Sequence, residues 1–164
     1  MPQAVVPTLR WEDLWPGWEA PRTYWAVTAM ELTMFASAIG CDDPVYTDAD
    51  AAKKAGFKNI IAHPGFINNW HFECALLRAM NNNPVFPTMH NRSTLSLYVP
   101  IYPEDVITCA IKVGDKVESS KGKRFASWVI DLYNQDGVLV ATKIHSSQWL
   151  KEWPNIKPGP RPLY

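Results

Sequence analysis

The residues best suited to chemistry gather in one turn and at one helix start. The run Cys41-Asp-Asp-Pro-Val-Tyr46 places a thiol, two carboxylates and a phenol side by side. Asp42 and Asp43 are candidates for a general base, because burial of one carboxylate beside another raises its pKa towards a useful range. Asp43 is the favoured one of the pair. The competing reading is turn chemistry, with its side chain bonding its own backbone. Tyr46 is a poor base at neutral pH and a usable hydrogen-bond donor. Cys41 becomes a nucleophile only with a neighbour that lowers its pKa, and is otherwise a small filler.

The second group is His63-Pro64-Gly65. His63 supplies an imidazole that titrates near neutrality. Pro64 has no N–H to offer, which leaves the Gly65 N–H as the donor at the helix start. Further substrate-binding candidates are Trp70, His71 and Arg92. His71, Cys74 and His90 do not have a diagnostic metal spacing, so neither a metal nor a cofactor is expected. The basic run Lys121-Gly-Lys-Arg124 reads as a solvated hairpin tip, with phosphate attraction as the alternative.

The pattern predicts which elements position these groups. Residues 1–21 form a Pro- and Trp-rich arm on the body, since exposing Trp11, Trp15 and Trp18 would waste apolar area. Arg22 to Val27 reads as a strand. Thr28-Ala-Met-Glu31 is a capping box opening a helix that stops at Gly40. Thr47 is expected to cap a short helix from Asp48 to Ala55. A long helix follows from Gly65 to Met80, with Phe66, Trp70, Cys74 and Leu77 on one face. Strands are then expected at 88–99, 106–117, 125–133 and 138–150, with a tight turn at Asn134-Gln-Asp-Gly137. Residues 151–164 form a Pro-rich tail, and nothing marks a second domain. This is an α+β layout, in which a curved antiparallel sheet wraps one long helix.

Composition narrows the function. The 164 residues carry 16 basic and 16 acidic side chains, a balance that argues against a nucleic-acid partner. No apolar run is long enough to span a bilayer, so no membrane role is expected. Three widely spaced cysteines exclude a disulfide scaffold and suit a reducing cytoplasm. The eight tryptophans suggest a cleft fitted to a bulky apolar group.

Several of these segments together resemble the MaoC-like hydratase/dehydratase family of hotdog-fold proteins. They are Phe35 to Asp48, Ala51-Ala52, Gly56-Phe57, Ile60-Ile-Ala-His-Pro-Gly-Phe66, Val99-Pro-Ile-Tyr-Pro-Glu-Asp105 and Asn134 to Gly137. The resemblance runs from about Trp25 to Leu150. It implies hydration of a 2-enoyl thioester on coenzyme A or an acyl carrier, or the reverse dehydration. In that family an Asp and a His in the turn after the first helix do the acid/base work, and an N–H at the central helix start polarises the thioester carbonyl. Here Cys41 stands at the Asp position and Tyr46 at the His position. The sequence is most similar to the FAS1-like, non-catalytic subunit type.

Three functions remain open on this reading. The first, and the favoured one, is a hydratase or dehydratase that uses altered site residues. The second is a catalytically silent subunit shaping the substrate tunnel of a heteromer. The third is a repurposed hotdog enzyme, such as a thioesterase, lyase or cyclase. The resemblance, and the cost of a bare sheet edge, imply a homodimer or a heteromer with a related hotdog chain.

Overall fold

The computed structural model describes residues 11–68 and 88–150. Its strands are β1 (Thr23–Ala26), β2 (Thr88–Leu97), β3 (Val106–Glu118), β4 (Arg124–Tyr133) and β5 (Leu139–Trp149). Two helices, α1 (Ala29–Ala38) and α2 (Ala49–Lys54), precede β2. The described strands form one antiparallel sheet in the order β1-β3-β4-β5-β2. Alternation explains its sidedness, because successive side chains point to opposite faces. Cys109, Ile111 and Val113 of β3 stand beside Leu132, Ile130 and Trp128 of β4. All six are buried, and they form part of the sheet's contribution to the core. Leu32 of α1 and Phe66 and Ile67 beyond α2 join the same cluster.

Helix α1 begins where the capping box predicts. The Thr28 hydroxyl accepts from the Glu31 N–H at 3.2 Å, and the Glu31 carboxylate accepts from the Thr28 N–H at 3.0 Å. Helix α2 departs from expectation at its cap. Asp48, not Thr47, satisfies its first amides, accepting from Asp50 at 2.8 Å and Ala51 at 3.0 Å. These bonds hold the Asp48 carboxyl below its usual pKa. Thr47 is consumed in closing the preceding 3-10 turn, where its N–H donates to Pro44.

Of the helix predicted over 65–80, the described part is a 3-10 turn at Pro64–Asn68. The remainder, with Trp70, His71 and Cys74, lies outside the described residues, as does the tail at 151–164. The described end of the N-terminal arm does lie on the sheet. Gly17 and Ala20 donate to carbonyls of β3, and Trp18 packs edge-on against Trp128. Trp11 sits under the Lys116 ammonium at 4.0 Å and the Arg124 guanidinium at 4.8 Å. Trp15 departs from the expectation of burial, being 58% exposed. Arg124 also pairs with Glu12 at 2.6 Å and Glu118 at 3.6 Å, so this end of the basic hairpin serves the fold.

Cys109 is a buried thiol whose pKa is pushed up to about 11 by burial, against a Thr23 hydrogen bond that lowers it, with the Asp131 charge adding a further rise. A shift of that size leaves about a hundredfold less thiolate near neutrality than a free cysteine has. Thiol alkylation of the native protein at mildly alkaline pH, mapped by peptide mass spectrometry, is therefore expected to spare Cys109 and mark half-buried Cys41. The native thiol is the harder one to ionise. Its stabilising effect is complete below the unfolded pKa and disappears as pH climbs through the folded one. Equal labelling of the two would contradict the burial.

Candidate functional site

The site is built on the 3-10 turn Pro44–Tyr46 and the loop that returns past His63. Proline at the first position of that turn gives up no hydrogen bond, and Asp43 caps it by accepting from the Val45 N–H at 3.1 Å. Val45 is buried and anchors the turn, which leaves Tyr46 half-buried beside it. The loop is tied across to this turn and to the sheet end. Ile61 donates to the Val45 carbonyl at 3.4 Å, and Ala62 to the Ile101 carbonyl at 2.8 Å.

His63 meets Tyr46 edge to face, with ring centroids 4.9 Å apart, and lies 5.9 Å from the ring of Phe35. Its Nδ1 accepts a 3.0 Å hydrogen bond from the Gly65 N–H. That bond fixes the tautomer: the neutral ring must carry its proton on Nε2, where it can only donate. The same bond engages the backbone donor expected to polarise a thioester carbonyl. Tyr46 is held above the ordinary phenol pKa by burial first, then by the nearby Asp43 and Cys41. It therefore stays protonated at neutral pH and acts as a donor.

The carboxylates do not follow the burial premise. Asp42 and Asp43 are both exposed, and Asp43 spends an oxygen on the turn. Arg92 is not brought to this site. On β2 it alternates with Leu95, which packs on the core, so it faces the opposite side of the sheet. Among the described residues no group of three or more His, Cys, Asp and Glu side chains could hold a metal.

Beside Tyr46 lies a cavity of about 240 Å³. Phe57, Ile61, Pro64 and Ile67 form one wall of it, and Leu97 to Ile101 the other. The second wall is held in place by the turn behind it. There the buried Asp105 carboxylate accepts from the Tyr102 N–H at 2.8 Å and the Gln135 amide at 3.1 Å. Such a pocket suits an apolar chain, and its donors suit a carbonyl or hydroxyl.

A family model described as "FAS1-like, dehydratase domain region" matches residues 14–143. The chain belongs to that family. It is also 38% identical over 55 residues to a UPF0336 protein of Streptomyces avermitilis. That match spans 34% of the chain and 37% of the relative's length. Among solved structures it superposes on the (R)-hydratase from A. caviae involved in PHA biosynthesis with a TM-score of 0.69. The identity there is 20%, covering 85% of this chain and 99% of that one. It superposes on the truncated HadBC (3R-hydroxyacyl-ACP dehydratase) complex from Mycobacterium tuberculosis with a TM-score of 0.71. Here the identity is 19%, covering 81% and 96% of the two chains. The fold of this FAS1-like dehydratase chain is the hotdog fold.

Two features of the structure were not foreseen from the sequence. One is the wall from Leu97 to Ile101, although part of it carried the family resemblance. The other is a polar stack across β2 and β5, where His90 and His145 rings lie 4.7 Å apart. Ser93 bonds His90 at 2.9 Å, and Ser147 bonds His145 at 3.0 Å. The strand spacing held no signal for the stack, since it depends on a register shift between His90 and Arg92.

Gly65 is tightly enclosed. A Cβ there would lie 3.0 Å from His63 Nδ1 and 3.3 Å from Phe35 Cζ. Gly65→Ala is expected to cost about 1–3 kcal/mol through forced repacking. Urea denaturation measures it, and an unchanged midpoint would mean that the His63 turn is slack.

Proposed function

We propose that this chain is the catalytically silent subunit of a heteromeric 2-enoyl thioester hydratase or dehydratase, in which it shapes the acyl-binding cleft. The observation that carries the reading is the hydrogen bond from the Gly65 N–H to His63 Nδ1. It occupies the imidazole lone pair beside Tyr46. With Tyr46 protonated and Asp43 capping its turn, the cleft offers donors and an apolar cavity and, among the described residues, no base placed to take the α-proton or activate water.

The sheet edge supports a partner. Every residue of β2 except Leu95 is exposed, and among the described residues nothing pairs with its outer edge. A free strand of ten residues is an open template for another strand. The HadBC complex is a heteromeric dehydratase with a similar fold. The partner here is a related hotdog chain that carries the family Asp and His.

The test compares the chain alone with the chain co-expressed beside such a partner, assayed with 2-enoyl thioesters of several lengths, including ring-bearing ones. A stable complex that hydrates, with no turnover by the lone chain, is the expected result. A homogeneous homo-oligomer of this chain with stereospecific turnover would overturn the reading and restore altered-residue catalysis.

A further inference from the structure

The cavity beside Tyr46 is apolar on both walls, and a cation–ring pair directly follows both of them in the chain. Lys58 directly follows Phe57 of one wall, and Tyr102 directly follows Ile101 of the other. The Lys58 ammonium rests 4.2 Å from the centre of the Tyr102 ring. Contact with the ring face stabilises the ammonium without neutralising it and restricts a flexible side chain to this spot. Tyr102 is itself held, because its N–H donates to the buried Asp105 carboxylate at 2.8 Å. The position is built, and its charge remains available to a ligand.

Several other basic side chains among the described residues are occupied or remote. Arg124 is committed to Glu12, Glu118 and Trp11. Lys53 pairs with Asp50 at 3.8 Å. Lys121 lies at the far hairpin, between β3 and β4.

We infer that Lys58, seated on Tyr102, is the anchor for the phosphate of a phosphopantetheine thioester whose apolar portion enters the Tyr46 cavity. An apolar slot with a cation adjoining its walls fits a ligand that is uncharged along its length and anionic at one end. The pantetheine phosphate is a diester with one negative charge on a carrier protein and part of a pyrophosphate on coenzyme A, so an ammonium beside it meets an anion in either case. The phosphate belongs to coenzyme A or to a holo acyl carrier protein, and the two share this chemistry. The assignment rests on the cavity taking an acyl thioester.

The experiment titrates the lone chain with one 2-enoyl group presented on coenzyme A, on a holo acyl carrier protein and on pantetheine, which lacks phosphate. Ligand-observed NMR gives the dissociation constants. Lys58→Glu is expected to weaken binding of a phosphate-bearing ligand about tenfold, and of the pantetheine thioester by less than about twofold. Lys58→Arg should retain most of the affinity. The ligand that shows the loss, coenzyme A or carrier, names the source.

An equal loss on pantetheine, a larger loss from Lys121→Glu, or no measurable binding of any phosphate-bearing thioester would each overturn the assignment. Its failure is separable from that of the silent-subunit reading. Turnover by the lone chain sinks that reading and leaves the Lys58 titration to be judged by itself.

Discussion

In the proposed heteromer, Asp43→Asn and His63→Asn should each leave turnover within about twofold to threefold, while replacing the Asp or His of the proposed partner lowers it by about 10²–10⁴. The contrast follows from where the protons are. Asp43 uses its oxygen on the Val45 N–H, and an asparagine oxygen can accept the same bond. His63 uses Nδ1 on the Gly65 N–H, and asparagine presents an acceptor at the same branch of the side chain. Both substitutions keep the local hydrogen bonds and delete only the capacity to ionise. If either group moved a proton in the reaction, its loss would appear as orders of magnitude in kcat. Steady-state kinetics of the purified complex measures the difference. A fall of a hundredfold for either variant would put acid/base chemistry back in this chain.

The second large effect is on stability. Phe66→Ala is expected to destabilise the fold by about 3–5 kcal/mol, the range for removing a fully buried aromatic side chain. Phe66 is 2% exposed and meets Phe35 edge-on, with centroids 5.6 Å apart. Phe35 in turn lies against His63, so the cavity also loosens the site turn. For a chain of this size the melting temperature should drop by roughly 6–20 °C. Calorimetry checks it, and a drop of only a degree or two would place Phe66 outside the core. Native stability is only about 5–15 kcal/mol, so this single change removes a large share of it.

The strands were legible because each has its own alternation and its own punctuation. The last hairpin shows why. Asn134 accepts from Asp136 and Val138 through its side chain, and Gly137 adopts a φ of 75°, which glycine reaches without strain. Both signals are local. The capping box at Thr28 and Glu31 was legible for the same reason. The cap of α2 was not, since the choice between Thr47 and Asp48 depends on where the preceding turn ends.

The site was legible as a place and less so as chemistry. Tyr46 and His63 are in ring contact, and Asp43 caps the turn that carries Tyr46. Their roles turned on facts that residue types do not carry. One is the exposure of both carboxylates. Another is the direction of the Gly65 amide. Arg92, read as a binding candidate or a solvated edge charge, is exposed on β2, on the face opposite Leu95. The Lys58–Tyr102 contact joins residues 44 positions apart, and no periodicity foretells it.

The most direct test of a cleft without a base is a long-range nitrogen–proton NMR correlation of the His63 ring at neutral pH. The expected spectrum has the proton on Nε2 and an unprotonated Nδ1 that accepts from the Gly65 amide. A proton on Nδ1, with the lone pair of Nε2 free beside Tyr46, would contradict it and supply the base that the proposed role excludes.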